Sequence, residues 1–210
     1  MKNFLFLMFF TLYFSRCFAE SGQPVSFLRT GEIQDVDVEV NKIGRGWLAL
    51  HKTENGWFLS STKVNLKLVD KNFVDIQSEY KNVEGLIKIK SLIAGKVKPA
   101  VLVNDKNGNS IKFKFSNKSY NLNVRKIQTV NKVYFSDGAK ETLIEDGYEE
   151  QSCASPSIVW AGDIDRDNKP DIIVYFSDDD EKYASVCVYL SMLAKKNKLL
   201  GLGGCQFFSG

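Results

Sequence analysis

Asp163-Ile164-Asp165-Arg166-Asp167-Asn168-Lys169-Pro170-Asp171 places carboxylates at positions 1, 3, 5 and 9 of one short segment. Calcium takes about six to eight oxygen ligands in loose geometry, so alternating acids in a turning loop can converge on one ion. On that pattern Asp163, Asp165 and Asp167 supply side-chain oxygens, Lys169 its main-chain carbonyl, and Asp171 closes the cage. Asn168 stands where the chain must turn sharply, and Asn tolerates positive φ. Pro170 fixes its own φ and biases Lys169 towards an extended backbone, which lets the chain leave the loop as a strand.

The flanks, Ser157-Ile158-Val159-Trp160 and Ile172-Ile173-Val174-Tyr175-Phe176, are rich in β-branched and aromatic residues and read as strands. Position 12 is Val174, where a helix-flanked EF-hand would place a bidentate Glu, so the loop is not of that type. Gly162-Asp-Ile-Asp-Arg-Asp-Asn-Lys-Pro-Asp-Ile-Ile173 resembles the calcium loop of the FG-GAP/VCBS repeat families, found in integrin-type propellers and many secreted bacterial proteins. The resemblance implies calcium ligation by Asp163, Asp165, Asp167 and Asp171, with the carbonyl of Lys169. Those families repeat the unit, and here it stands once. Asp105-Lys106-Asn107-Gly108-Asn109 lacks the ninth-position acid and reads as a hairpin turn, so a multi-bladed propeller is not expected. The tail, Tyr189 to Lys195 and on through Gly204-Cys205, also resembles that of small secreted bacterial proteins carrying one such loop. That group implies no activity.

The start of the chain sets the expected compartment. Lys2, the apolar run Phe4 to Phe10 with Leu12-Tyr13-Phe14, and the small-residue end Cys17-Phe18-Ala19 describe a secretory signal peptide. Cleavage after Ala19 gives an exported protein, periplasmic or secreted, without a transmembrane segment. Arg16 does not suit a lipoprotein anchor on Cys17. In an oxidising compartment Cys153, Cys187 and Cys205 are read as one disulfide and one thiol, and no Cys-x-x-Cys spacing suggests zinc. Cys187 lies in an apolar run and reads as a small core residue, which favours Cys153–Cys205 as the pair.

Charge is uneven along a nearly balanced chain. Residues 63–132 hold 15 basic and 5 acidic residues, and residues 133–183 hold 4 basic and 14 acidic. A cation in the acidic half would relieve repulsion. In the basic half, Lys88-Ile89-Lys90 and Ile111-Lys112-Phe113-Lys114-Phe115 place lysines on the wet face of half-buried strands, so a nucleic-acid partner is not expected. Asp178-Asp179-Asp180-Glu181 reads as a polar hairpin tip.

Period-two alternation recurs at Val36–Val40, Val64–Val69, Leu86–Lys90, Ile111–Phe115 and Tyr120–Val124. Asn55-Gly56, Asn107-Gly108 and Asp137-Gly138 mark turns. Only Ser191 to Lys198 invites a short helix. The expected fold is mostly β, a sandwich or paired twisted antiparallel sheets with one calcium loop between strands and a short C-terminal helical turn. The organisation reads as a signal peptide over 1–19, a basic β-rich region over 20–132 and an acidic β-rich region over 133–210. The last two are either separate or one domain.

Catalytic signatures are sparse. His51 is the single histidine, beside Trp47-Leu48-Ala49-Leu50, and reads as a surface or satisfied residue. No nucleophile elbow, zinc helix or phosphate-cradling glycine loop occurs. Trp47, Trp57 and Trp160 are able to stack on sugars, yet in a β protein they fit the core. Two classes stay open: an exported calcium-stabilised module binding carbohydrate or protein at the cell exterior, and a calcium-dependent hydrolase cutting polysaccharide with paired carboxylates.

Overall fold

The computed structural model describes residues 26–34, 44–69, 73–103, 110–128, 130–146, 156–177 and 183–209. Along the chain these form β1 (Ser26–Leu28), β2 (Gly31–Gln34), β3 (Gly44–Thr53), β4 (Gly56–Leu68), β5 (Phe73–Gln77) and β6 (Val83–Lys88). There follow β7 (Gly95–Pro99), β8 (Val101–Val103), β9 (Ser110–Phe115), β10 (Lys118–Ile127), β11 (Val130–Ser136) and β12 (Glu141–Asp146). The chain ends with β13 (Ser157–Asp163), β14 (Asp171–Ser177), β15 (Tyr183–Leu190), a 3-10 turn (Ser191–Leu193) and β16 (Gly201–Ser209). The expected mostly-β class is what the structure has.

Two antiparallel sheets account for these strands. The larger runs β1-β6-β3-β4-β7-β13-β14-β15-β16, with β5 paired to β4 and β2 to β5. Its ends meet: the Arg29 amide, just past β1, donates to the Gln206 side-chain carbonyl on β16, so the sheet curls almost into a barrel. The smaller sheet runs β12-β11-β10-β9-β8. The charge shift near residue 132 falls inside β11, and β7 from the basic side pairs with β13 from the acidic side.

Alternation explains the strands with one wet face. Phe113 and Phe115 are buried while Lys112 and Lys114 face solvent. Tyr120 and Leu122 point inward beside them, and Phe113, Tyr120 and Phe135 stack with centroids 5.4–6.0 Å apart. The turns follow their local chemistry. Thr53 lies opposite Gly56 across the β3–β4 hairpin, and the Asp137 carboxylate caps the Ala139 and Lys140 amides, with Gly138 at φ +86°. The alternating run at 36–40 and the Asn107-Gly108 turn lie outside the described residues, as do the signal segment, Cys153 and 178–182.

β14 and β15 are apolar on both faces because each face meets a core. Ile173, Val186, Val188 and Leu190 join Leu50, Leu59, Ile87 and Trp160 inside the curled sheet. Ile172, Val174, Phe176, Cys187 and Tyr189 pack against the smaller sheet through Phe113, Phe135 and Leu122. A bulge in β13 between Ile158 and Trp160 lets Val159 and Trp160 face the same core. The Tyr189 hydroxyl also donates to the Ile144 carbonyl on β12 at 2.9 Å, tying the sheets together.

The expected cysteine pairing is corrected. Cys205 bonds Cys187, not Cys153, because the two sit directly opposite on β15 and β16 with Cα atoms 4.1 Å apart. Cys187 is buried, as its apolar run suggested, but it fills its core position as half of a cross-strand bridge. The expected short C-terminal helical turn is present as the 3-10 turn Ser191–Leu193, at the start of the Ser191–Lys198 run. Gly201 lies so close to the Leu193 carbonyl that a Cβ there would collide with it, pinning that turn onto β16. Peptide mapping of unreduced protein should recover a Cys187–Cys205 linked pair. By the chain-entropy account of a loop this long, Cys205→Ser should cost roughly 3 kcal/mol and lower the melting temperature by about 6–12 °C.

Candidate metal centre

The acidic loop is the β13–β14 turn. Asp163 is the last residue of β13 and Asp171 the first of β14, so the paired strands bring the two ends of the motif together. Ile164 is fully buried in the core of the curled sheet and anchors the loop from below. Above it the chain turns through Arg166 and Asn168, both at φ +63°. Asn168 takes the left-handed conformation foreseen for it. Arg166 does so as well, which its side chain helps to explain: its guanidinium donates to the Ile93 carbonyl at 2.6 Å and packs against Gly95.

Carboxylates organise the turn by accepting main-chain N–H groups. The Asn168 amide donates to Asp163 Oδ2 at 3.1 Å, the Asp167 amide to Asp165 Oδ1 at 3.1 Å, and the Lys169 amide to Asp167 Oδ1 at 2.8 Å. Asp171 is completely buried and accepts from three amides: Ile164 at 2.6 Å, Asp165 at 3.2 Å and Ser191 at 2.7 Å. Asp165 Oδ2 accepts from the Met192 amide at 3.0 Å and the Ser191 hydroxyl at 3.3 Å. The 3-10 turn after β15 is therefore a second wall of the site.

Asp163, Asp165 and Asp171 each present a carboxylate oxygen within 4.8 Å of the others, a group able to hold a metal ion. Asp163 is almost fully buried, yet its Oδ1 has no hydrogen-bond partner in the protein. A buried carboxylate oxygen left without a partner is costly. An all-oxygen donor set suits a hard cation, so the residues fit calcium or magnesium better than a softer metal. Desolvation raises the carboxyls of Asp163 and Asp165, and that of Asp171 strongly; mutual repulsion adds to each.

The other two residues of the motif behave differently. Burial pushes Asp167 up, but the side-chain and main-chain hydrogen bonds and the charge of Lys169 outweigh it and hold this carboxyl below its ordinary value. Asp167 Oδ2 accepts from the Lys169 ammonium at 2.8 Å, and that lysine is exposed. Sequence reading missed Ser191. It lies 20 residues beyond Asp171, and only the antiparallel return of β15 along β14 brings it to the site.

The remaining candidates are structural. Trp47 and Trp160 are buried, and Trp57 is half-buried with its ring edge-on to Trp160 at 6.0 Å. His51 is 6% exposed, stacks on Tyr80 at 4.3 Å and shares a 2.9 Å hydrogen bond between its Nε2 and Ser60 Oγ. It is a satisfied histidine, one of the two readings given to it from sequence.

Burial holds the His51 pKa below 6.5. The unfolded chain then takes up a proton first as pH falls, so the fold loses stability from about pH 6.5 downward through the folded-state pKa. Urea unfolding at pH 7.5 and at pH 5 should show a larger loss in wild type than in His51→Gln, which keeps a polar partner for Ser60 but does not titrate. Equal losses would count against a neutral, buried imidazole. Compared with known proteins, the chain matches no family model, no curated protein and no solved structure.

Proposed function

We propose that this is an exported β protein whose Asp163–Asp171 loop takes one calcium ion for structure, in the manner of a single FG-GAP/VCBS-type loop. The observation that carries the reading is the buried Oδ1 of Asp163, lacking a partner and set among carboxylates of Asp165 and Asp171. A divalent cation there would be held by Asp163 and Asp165, with Asp171 beside them, and would supply the positive charge the cluster lacks. Because Asp163 ends one strand and Asp171 begins the next, such an ion would fasten the hairpin at its turn. The site has no paired helices to open, so a calmodulin type of response lacks its moving part.

Export is supported by the signal-like start of the chain and by the Cys187–Cys205 disulfide, a bond that persists in oxidising compartments. Among the described residues no helix is long and apolar enough to cross a membrane. Of the two classes, we favour a binding or interaction module over a hydrolase. A cleft of about 500 Å³ bordered by Arg45, Lys63 and Lys90 carries one carboxylate, Glu79, whereas glycoside hydrolysis needs a pair. Trp47 and Trp160 are committed to packing and give no support to sugar stacking.

Extracellular calcium modules bind at about 10⁻⁴–10⁻³ M. Free calcium at roughly 1–10 times the dissociation constant then stabilises the fold by about 0.4–1.4 kcal/mol, a rise of roughly 1–5 °C in melting temperature. Asp163→Ala should abolish that rise, while Asp179→Ala, in the separate acidic run, should leave it. A wild-type melting curve identical in millimolar calcium and in chelator would refute the site. Mass spectrometry of the exported product should find Glu20 at its N-terminus, and a lipid-modified Cys17 would reverse that expectation.

A further inference from the structure

Asp171 differs from Asp163 in what it already holds. Both of its oxygens are engaged: Oδ1 by the Ser191 amide, Oδ2 by the amides of Ile164 and Asp165. These donors come from two separate segments, the start of the acidic loop and the 3-10 turn that follows β15. Asp163 is also buried, though less deeply, and has one oxygen with no partner. One carboxylate is thus consumed by the protein and the other left for a ligand. Asp165 is engaged at both oxygens as well, Oδ1 by the Asp167 amide and Oδ2 by the Met192 amide and the Ser191 hydroxyl, but it is only half-buried, whereas Asp171 is wholly enclosed.

We propose that Asp171 is the positioning residue of the metal loop, clamping the loop to the Ser191 turn so that Asp163 and Asp165 face one another before any ion arrives. The clamp itself stands on the ion-free geometry; its consequence for affinity rests on the calcium reading above. The three main-chain bonds to Asp171 add to those Asp165 makes itself, and together they offset the desolvation and mutual repulsion that oppose the approach of Asp163 and Asp165. The clamp also explains how a loop bearing four carboxylates is held compact without a cation: N–H groups converging on a buried carboxylate supply compensating partial charge. Ser191 serves the same end twice, through its amide to Asp171 and its hydroxyl to Asp165. The site accordingly belongs to three strands, β13, β14 and β15, and not to the loop alone.

The test compares Asp171→Asn with Asp163→Asn in the full-length exported chain, first in chelator and then in calcium. An amide at position 171 can accept on one side only and turns an NH2 towards the donors on the other. In chelator Asp171→Asn should melt roughly 3–10 °C below wild type. Asp163→Asn should melt at or above wild type, because it removes a buried charge from an oxygen that has no partner. Well below either melting temperature, with the fold intact by circular dichroism, Asp171→Asn should bind calcium roughly 10–100-fold more weakly by calorimetry. An Asp171→Asn protein that melts in chelator at or above wild type would overturn the clamp, since a residue serving only as ligand would behave like Asp163. If Asp171→Asn fails to fold, hydrogen exchange in calcium-free wild type decides the matter. The amides of Ile164, Asp165 and Ser191 should be protected, and free exchange at Ser191 would overturn the proposal. A wild type with no calcium response would defeat the metal reading alone, and the chelator comparison would still judge the clamp.

Discussion

Everything in this molecule leans on a wall of four strands, β13 to β16, in which β14 and β15 are buried on both faces. Ile173 and Val188 fill one core while Val174 and Cys187 fill the other, so neither core is complete without this wall. Such strands have no wet face on which to place charge, and their sequences run apolar throughout. Polar residues are therefore pushed to the strand ends. That constraint puts the acidic loop where it is, at the turn between β13 and β14, and it puts Ser191 at the adjoining end of β15.

Burial of the wall reaches up into the loop. Ile164 sits in the core between two acids, and a segment so anchored is not a solvated acidic turn. Arg166 reaches sideways to the Ile93 carbonyl and Asp171 backwards to Ser191. Each of the three residues ties the loop to a different part of the fold. Order here comes from packing and main-chain hydrogen bonding. An ion would enter a shape that already exists, which is the condition under which little ordering entropy opposes binding.

Much of the fold was legible because half-buried strands write themselves in period two. Lys112-Phe113-Lys114-Phe115 could be read residue by residue, and the structure agrees with it. The acidic motif was legible from spacing alone, together with its flanking strands and its left-handed Asn168. What could not be read was anything set by strand order. Cys187 pairs with Cys205 because β15 and β16 are neighbours in a particular register, a fact absent from either residue's local pattern. Ser191 reaches Asp171 for the same reason. The short helical turn expected from Ser191 onward is there as Ser191–Leu193, but its close seat against Gly201, where a Cβ would meet the Leu193 carbonyl, is again a matter of which segments lie side by side. Long-range register, not local propensity, decided each of these.

The roles inside the motif follow from competition for the same oxygens. A carboxylate buried among others is unstable unless protonated, hydrogen-bonded or matched by a cation. Asp171 takes the second course through three amides, and Asp167 takes the third by recruiting the Lys169 ammonium. Asp163 completes neither course, since its Oδ2 accepts one amide and its Oδ1 none. A protein stabilised only by its internal contacts would gain by replacing that residue with an apolar one of similar size. An ionisable group there makes physical sense when a cation supplies what the fold withholds, and among the described residues Asp163 Oδ1 is the carboxylate oxygen that is both buried and without a partner.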